Sequence, residues 1–171
     1  MALAFAVPAR ANDLKEFSSR GLAGSQGFVV RIQHPASWKP VDLDDVMAIA
    51  ELRGPQDGIT GILQVARGVK RADASTLCSP ERAQTMLRNL EASDARVTDV
   101  LARTHEDRPA FEVRYERSDA PSFLLARSLI VCLKQTRVLV SCGATNGTKA
   151  ALTAIEPVCR QVLDSVSIAE D

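Results

Sequence analysis

"PSFLLARSLIVCLKQTRVLVSCGA", residues 121–144, decides the fold class. Leu129 to Leu133 is apolar at every position, so both faces of this segment want cover. That is the pattern of a strand inside a sheet rather than at its edge. Gln135-Thr136 interrupts the run, and "RVLVSCGA" resumes it as a second strand. Upstream, "AFEVRYE" (110–116) alternates: Phe111, Val113 and Tyr115 face one way, Glu112, Arg114 and Glu116 the other. Strict alternation marks a half-buried antiparallel strand. "HEDRP" (105–109) supplies a turn, and "ARVTDVLART" (95–104) reads as a further strand before it.

The same reading extends to the rest of the chain. "FVVRIQ" (28–33) is a strand that Pro35 ends, because proline lacks a ladder donor and restricts the residue before it. Residues 46–52 and "ITGILQVAR" (59–67) flank the turn-rich "GPQDG" (54–58), which predicts a hairpin. "CSPERAQTMLRNLEA" (78–92) carries a helix start: Ser79 as cap, Pro80 in the first position, Glu81 at the positive end of the dipole. Met86, Leu87 and Leu90 form its apolar face. A closing helix is expected from about Lys149 to Ser165, with Leu152, Ile155, Cys159, Val162 and Val166 in one stripe. Pro157 should kink it or split it. Residues 12–27 read as a glycine-dotted linker with a helical turn around Leu14–Phe17, and the tail "SIAED" as solvated. Strands, helix, strands, helix describe an α+β fold: one antiparallel β-sheet of six to seven strands flanked by α-helices. Two segments result, 1–26 as a signal-peptide remnant or flexible segment and 27–171 as a single domain.

Composition narrows the function. Lys+Arg and Asp+Glu are 21 each, and aromatic residues are 4% of the chain. Neither a basic field nor a stacking platform for nucleic acid is present. No apolar run reaches the ~20 residues of a membrane helix. At the N-terminus, "MALAFAVPARA" has a short apolar run and an Ala9-Arg10-Ala11 cleavage pattern, as at the end of a secretory signal. A mature chain would then begin near Asn12, and a periplasmic or secreted location follows. The alternative is cytoplasmic. Export would favour pairing of Cys78, Cys132, Cys142 and Cys159. Three connectivities are open, and the spacing does not choose among them.

Catalytic and ligand motifs are weighed and set aside. "CGATNGTK" (142–149) lacks the spacing of a phosphate-binding loop; Asn146-Gly147 reads as a turn, Thr148 as a helix cap, and Asn146-Gly147-Thr148 as a glycosylation pattern. Gly21, Gly24 and Gly27 follow no strand, so they do not form a dinucleotide loop. His34 and His105 each sit beside a turn and read as solvent-exposed. Asp42, Asp44 and Asp45 read as a solvated loop or cap rather than a calcium site. No catalytic, cofactor or metal residues are assigned, and no cofactor is expected. Trp38 is the single tryptophan. It reads as a ring folded back onto the core edge, with a partner anchor as the alternative.

His34-Pro35-Ala36-Ser37-Trp38-Lys39, entered from a strand, resembles the y-P-x-x-W-k signature of the PsbP/Mog1/DcrB-like superfamily. The hairpins, the β run ending in "LIVCLKQTRVLVSCGA" and the closing "VLDSVSI" fit the same pattern, over residues 27–168. The resemblance implies a Mog1/PsbP-like α/β/α sandwich and a role in binding proteins; many bacterial members are exported. It brings no shared catalytic set, and the four cysteines are not part of its pattern. The expectation is a non-enzymatic protein-interaction module of an exported bacterial protein, with a protein partner. A cytosolic adaptor or chaperone for a secreted protein and a small hydrolase or thiol enzyme are the alternatives. Partner identity and oligomeric state are not legible.

Overall fold

The computed structural model describes residues 13–25, 27–43, 47–68, 78–79, 81–82, 84–85, 88, 95–119, 122–145 and 153–170. Ten strands are described: β1 (Leu14–Ser18), β2 (Phe28–Pro35), β3 (Lys39–Pro40), β4 (Ala48–Gln56), β5 (Ile59–Arg67), β6 (Ala95–His105), β7 (Arg108–Asp119), β8 (Ser122–Cys132), β9 (Arg137–Thr145) and β10 (Ser167–Glu170). Helix α1 (Glu156–Asp164) lies between β9 and β10. Seven strands form one antiparallel sheet in the order β3-β4-β5-β9-β8-β7-β6. The all-apolar segment of β8 is interior, as its sequence requires, and Leu129 to Leu133 are buried.

Two hairpins set the register of this sheet. Asp57 and Gly58 join β4 to β5, both with positive φ (48° and 84°). Glu106 and Asp107 join β6 to β7 at φ 47° and 62°. Two-residue turns of this hand match the twist of the strands they connect.

The first strand of the sequence reading does not join the large sheet. β2 is the centre of a separate three-stranded sheet, β1-β2-β10. Residues 14–17 are therefore extended, not a helical turn in a linker: Leu14 to Ser18 pair with Pro35 to Arg31. The tail is likewise ordered. Ser167 to Glu170 pair with Arg31 to Phe28, and Ile168 is buried against the core. Both flanking strands are short, and β2 supplies the template that orders them.

The small sheet and α1 together cover one face of the large sheet. Phe28, Val30, Ile32 and Ile168 meet Leu52, Leu63, Val65, Leu129, Val131, Val140 and the α1 residues Cys159, Val162 and Leu163 in one cluster. Ile155, Cys159, Val162 and Val166 keep the predicted stripe and are buried. Pro157 lies in the first turn of α1, and the helical residues Thr153 and Ala154 are separated from it by a turn at Ile155. The predicted break is thus present, and it shortens the helix. On the opposite face, Phe111, Cys132 and Cys78 form a second cluster. Glu81, Arg82, Gln84, Thr85 and Arg88 are helical, with the Arg82 N–H donating to Ser79 Oγ at 3.4 Å. That contact is the predicted cap. Residues 1–12, Asp44, Asp45, Met86, Leu87, Leu90 and 146–152 lie outside the described residues, so the expectations for them rest on sequence.

Candidate interaction surface

Both pairs of cysteines are bonded, Cys78 to Cys132 and Cys142 to Cys159. No cysteine is free. The first bond ties the connection between β5 and β6 to the end of β8, and the second ties α1 to the central strand β9. A thiol nucleophile is thereby removed from the chemistry available to this chain.

The two histidines are buried, with relative exposures of 3% for His34 and 7% for His105, not exposed at turns. His34 Nδ1 lies 2.9 Å from the Pro35 carbonyl oxygen. Burial lowers the pKa of His34, and Lys15 and Lys39 lower it further. His105 is also held below its usual pKa by burial, against the opposing pull of Glu106. Its Nε2 is buried with no hydrogen-bond partner among the described residues. The structure brings neither histidine to a cysteine or a carboxylate cluster, and among the described residues no group of His, Cys, Asp and Glu has metal-ligand geometry.

Trp38 is 1% exposed. Its ring lies on a flat platform made by two glycines that face each other across the β4–β5 hairpin, Gly54 and Gly61. A Cβ on Gly54 would sit 2.6 Å from Trp38 Cδ1, and one on Gly61 would sit 2.2 Å from Cζ2. Only a residue without a side chain fits beneath the indole at either place. Gly54 and Gly61 are structural partners of Trp38 that the sequence reading missed.

The charged face of β7 holds the larger surprise. Glu112, Arg114 and Glu116 do alternate with Phe111, Val113 and Tyr115, but they do not point into open water. They share a face with Leu129 and Cys142, at the margin of the main core and beside α1. Glu112 accepts from Arg103 at 2.7 Å and from Arg127 as well. Arg114 donates to Glu156 of α1 and to Thr98. Burial works to raise the Glu112 pKa, yet the hydrogen bonds and charges of Arg127 and Arg103 outweigh it and hold the carboxyl below its ordinary range. Glu112 thus stays an anion between two cations. Its partners come from β6 and β8, those of Arg114 from β6 and α1, and alternation within β7 alone gave no hint of them.

Glu156 also lines an open groove of about 780 Å³ along the outer face of α1, with Thr153, Pro157, Arg160, Gln161 and Asp164. The groove therefore meets the Arg–Glu ledge at Glu156, and its own lining is mixed polar and apolar. The exposed Arg160, Gln161 and Asp164 offer hydrogen-bond donors and acceptors along α1.

Solved structures carry the comparison further. The solution structure of cyanobacterial PsbP (CyanoP) from Synechocystis sp. PCC 6803 superposes with a TM-score of 0.60 at 11% identity, over 98% of this chain and 99% of that one. The chain has a PsbP-like fold. LpqN of Mycobacterium tuberculosis, described as involved in cell envelope biogenesis, matches with a TM-score of 0.59 at 15% identity, over 94% of each chain. PA94 of Pseudomonas aeruginosa, a protein of unknown function, matches with a TM-score of 0.51 at 16% identity, over 77% of this chain and 85% of that one. No protein-family model and no curated protein matches the sequence. At these identities the likeness is one of fold, and function is argued from the surface. No helix among the described residues is long and apolar enough to cross a membrane.

Proposed function

We propose that this chain is an exported, non-enzymatic binding module, and that the α1 groove and the adjoining Arg–Glu ledge receive a protein partner. The observation that carries the reading is the closure of all four cysteines into two buried disulfides, one on each face of the central sheet. Such bonds persist in oxidising compartments and are rare in the cytosol, which favours the exported reading over the cytosolic adaptor. The thiol-enzyme alternative loses its nucleophile by the same bonds. The structural neighbour LpqN, described as involved in cell envelope biogenesis, agrees with an envelope setting.

The test has two arms. Intact mass of the protein made in its own host from the full reading frame, non-reduced and with an alkylating agent, should give a chain beginning near Asn12 with no alkylated thiol. An uncleaved chain with four free thiols refutes export. A photo-reactive side chain at Gln161, in the groove, should then give a discrete cross-link in the host envelope that Arg114→Glu abolishes. An equal pattern from Asp57, on the β4–β5 turn, refutes the groove as the binding surface.

A further inference from the structure

The large sheet has two edges, and they differ. At one edge stands β3, only two residues long. At the other stands β6, eleven residues long, with no strand on its outer side among the described residues. Long open edges are templates for pairing, and proteins usually blunt them with lysine, proline or a bulge. In β6 there is neither lysine nor proline. Its single irregularity, between Val97 and Asp99, leaves Asp99 to His105 regular. Within that regular stretch is Leu101, 57% exposed, the most exposed large apolar side chain among the described residues.

We infer that β6 is a self-association edge, and that its occupant is β6 of a second copy of this chain, antiparallel about a two-fold axis at Leu101. The sequence of the edge is its own complement in that register. Leu101 meets Leu101, Asp99 meets Arg103 twice, and Val100 meets Ala102 twice. A slip of two residues in one direction sets Leu101 against Arg103 and Asp99 against His105. A slip in the other sets Leu101 against Asp99 and Arg103 against Val97. Only the register centred on Leu101 pairs apolar with apolar and acid with base on the same face.

The hydrogen-bonding phase agrees. The two-residue turn at Glu106-Asp107 makes His105 and Arg108 a hydrogen-bonded pair. Alternation then turns the backbone groups of Leu101 and Arg103 toward β7, and those of Val100, Ala102 and Thr104 toward the open edge. In the dimer Val100 and Ala102 exchange N–H···O=C bonds across the axis. Leu101–Leu101 and Asp99–Arg103 become non-hydrogen-bonded pairs, in which side chains approach more closely. Arg103 gives one guanidinium nitrogen to Glu112, and its remaining donors are sufficient for a second carboxylate. Two seven-stranded sheets fuse into one. The edge alone buries less than a standard interface of ~1,600 Å², so the dimer is reversible and in the micromolar range or weaker. This inference is independent of the groove reading, because neither copy's α1 is needed for it.

Sedimentation equilibrium of the oxidised full chain tests it. The weight-average mass should rise from 18.4 kDa toward twice that with concentration. Asp99→Arg sets arginines against each other and should weaken association by roughly tenfold or more. Arg103→Glu should do the same, and an equimolar mixture of the two variants should associate again, because each then complements the other. Thermal melts separate lost pairing from lost folding: Asp99→Arg should melt unshifted, whereas Arg103→Glu also loses its pair with Glu112 and is read through its mixture with Asp99→Arg. A Leu101→Cys chain should form a symmetric intermolecular disulfide, whereas Thr104→Cys, which lies away from its own copy in this register, should not. A wild-type chain that stays monomeric at about 1 mM, where even a millimolar pairing would be substantially formed, overturns the inference, as does a dimer indifferent to both charge variants.

Discussion

Gly61→Ala is the change that tests the packing account most sharply. The backbone at Gly61 is not in the left-handed region, so alanine carries no conformational penalty there. In an open strand it would be neutral or favourable, since glycine loses the most backbone freedom on folding. Here the new Cβ would lie 2.2 Å from Trp38 Cζ2 and 2.7 Å from Cε2. Relief to an ordinary contact of ~3.5–4 Å requires the ring to move by more than an ångström. The ring is 1% exposed and lies over Gly54 as well, where Trp38 Cα and the Ser37 carbonyl hold the chain close. Overpacking of this kind costs typically 1–3 kcal/mol and occasionally more; we expect the upper end, about 3 kcal/mol. Trp38→Ala, which leaves a cavity instead, should cost ~3–5 kcal/mol.

The two sites must then be coupled. With Trp38→Leu as background, the clash partner is gone, and Gly61→Ala should cost almost nothing or stabilise by a few tenths of a kcal/mol. The coupling energy in the double-mutant cycle is thus ~2–3 kcal/mol. Urea denaturation followed by far-UV circular dichroism measures all four corners, and Trp38 fluorescence gives an independent probe in the two variants that keep the only tryptophan. Equal costs for Gly61→Ala in both backgrounds, within about 0.5 kcal/mol, would refute the claim that the glycine exists to seat the indole.

Other consequences follow from the staples and the buried charges. Replacing Cys142 and Cys159 by alanine opens a loop of 17 residues and should cost ~3 kcal/mol, while the 54-residue loop of Cys78–Cys132 should cost ~4 kcal/mol, both read from denaturation midpoints. Both histidines have folded pKa values below the ordinary 6.5, so the unfolded chain binds more protons near that pH. Their contribution is complete above pH ~6.5 and is lost as pH falls through the folded values; a melting temperature that falls between pH 7.5 and 5, with a smaller fall in His34→Gln or His105→Gln, is the expected result. Glu112 also has a lowered pKa, from an ordinary 4.5, so its contribution holds above that pH and is lost only on further acidification. Glu112→Gln leaves Arg127 and Arg103 without their shared anion and should cost about 2–3 kcal/mol, discounted for the partial exposure of the pairs; an unchanged melt at pH 7 argues against the network.

What the sequence made legible follows from what is local. The strands of the large sheet announce themselves because alternation and apolar runs are written within each segment, and "GPQDG" and "HEDRP" contain their turns, although Gly54 to Gln56 still belong to β4. β1 and β10 escaped because five and four residues of "LKEFS" and "SIAE" carry no pattern of their own. They are extended only because β2 lies between them. His34 and His105 read as turn residues because the cover over each comes from elsewhere in the chain; for His105 it includes Val166, to whose backbone the ring is hydrogen-bonded. The ledge was half visible. Alternation put Glu112 and Arg114 on one face correctly, but the partner that makes the face a site, Glu156, is 42 residues from Arg114 and arrives with α1.

The cysteines show how topology completes what composition leaves open. Three pairings were possible, and two facts now select one. The stripe Ile155-Cys159-Val162 turns Cys159 toward the sheet, and β9 presents Cys142 on the same face as Val138 and Val140. Cys132 falls on the opposite face, where Phe111 and Cys78 await it. Crossed pairing would require a bond through the sheet. Each disulfide therefore fixes one flanking segment to the central sheet, and the two act on opposite faces. A chain with only 4% aromatic residues has few large side chains with which to hold its layers. Covalent attachment of both layers offsets that shortage. Neither disulfide covers the outer face of α1 or the open edge of β6, the two surfaces proposed to meet another molecule.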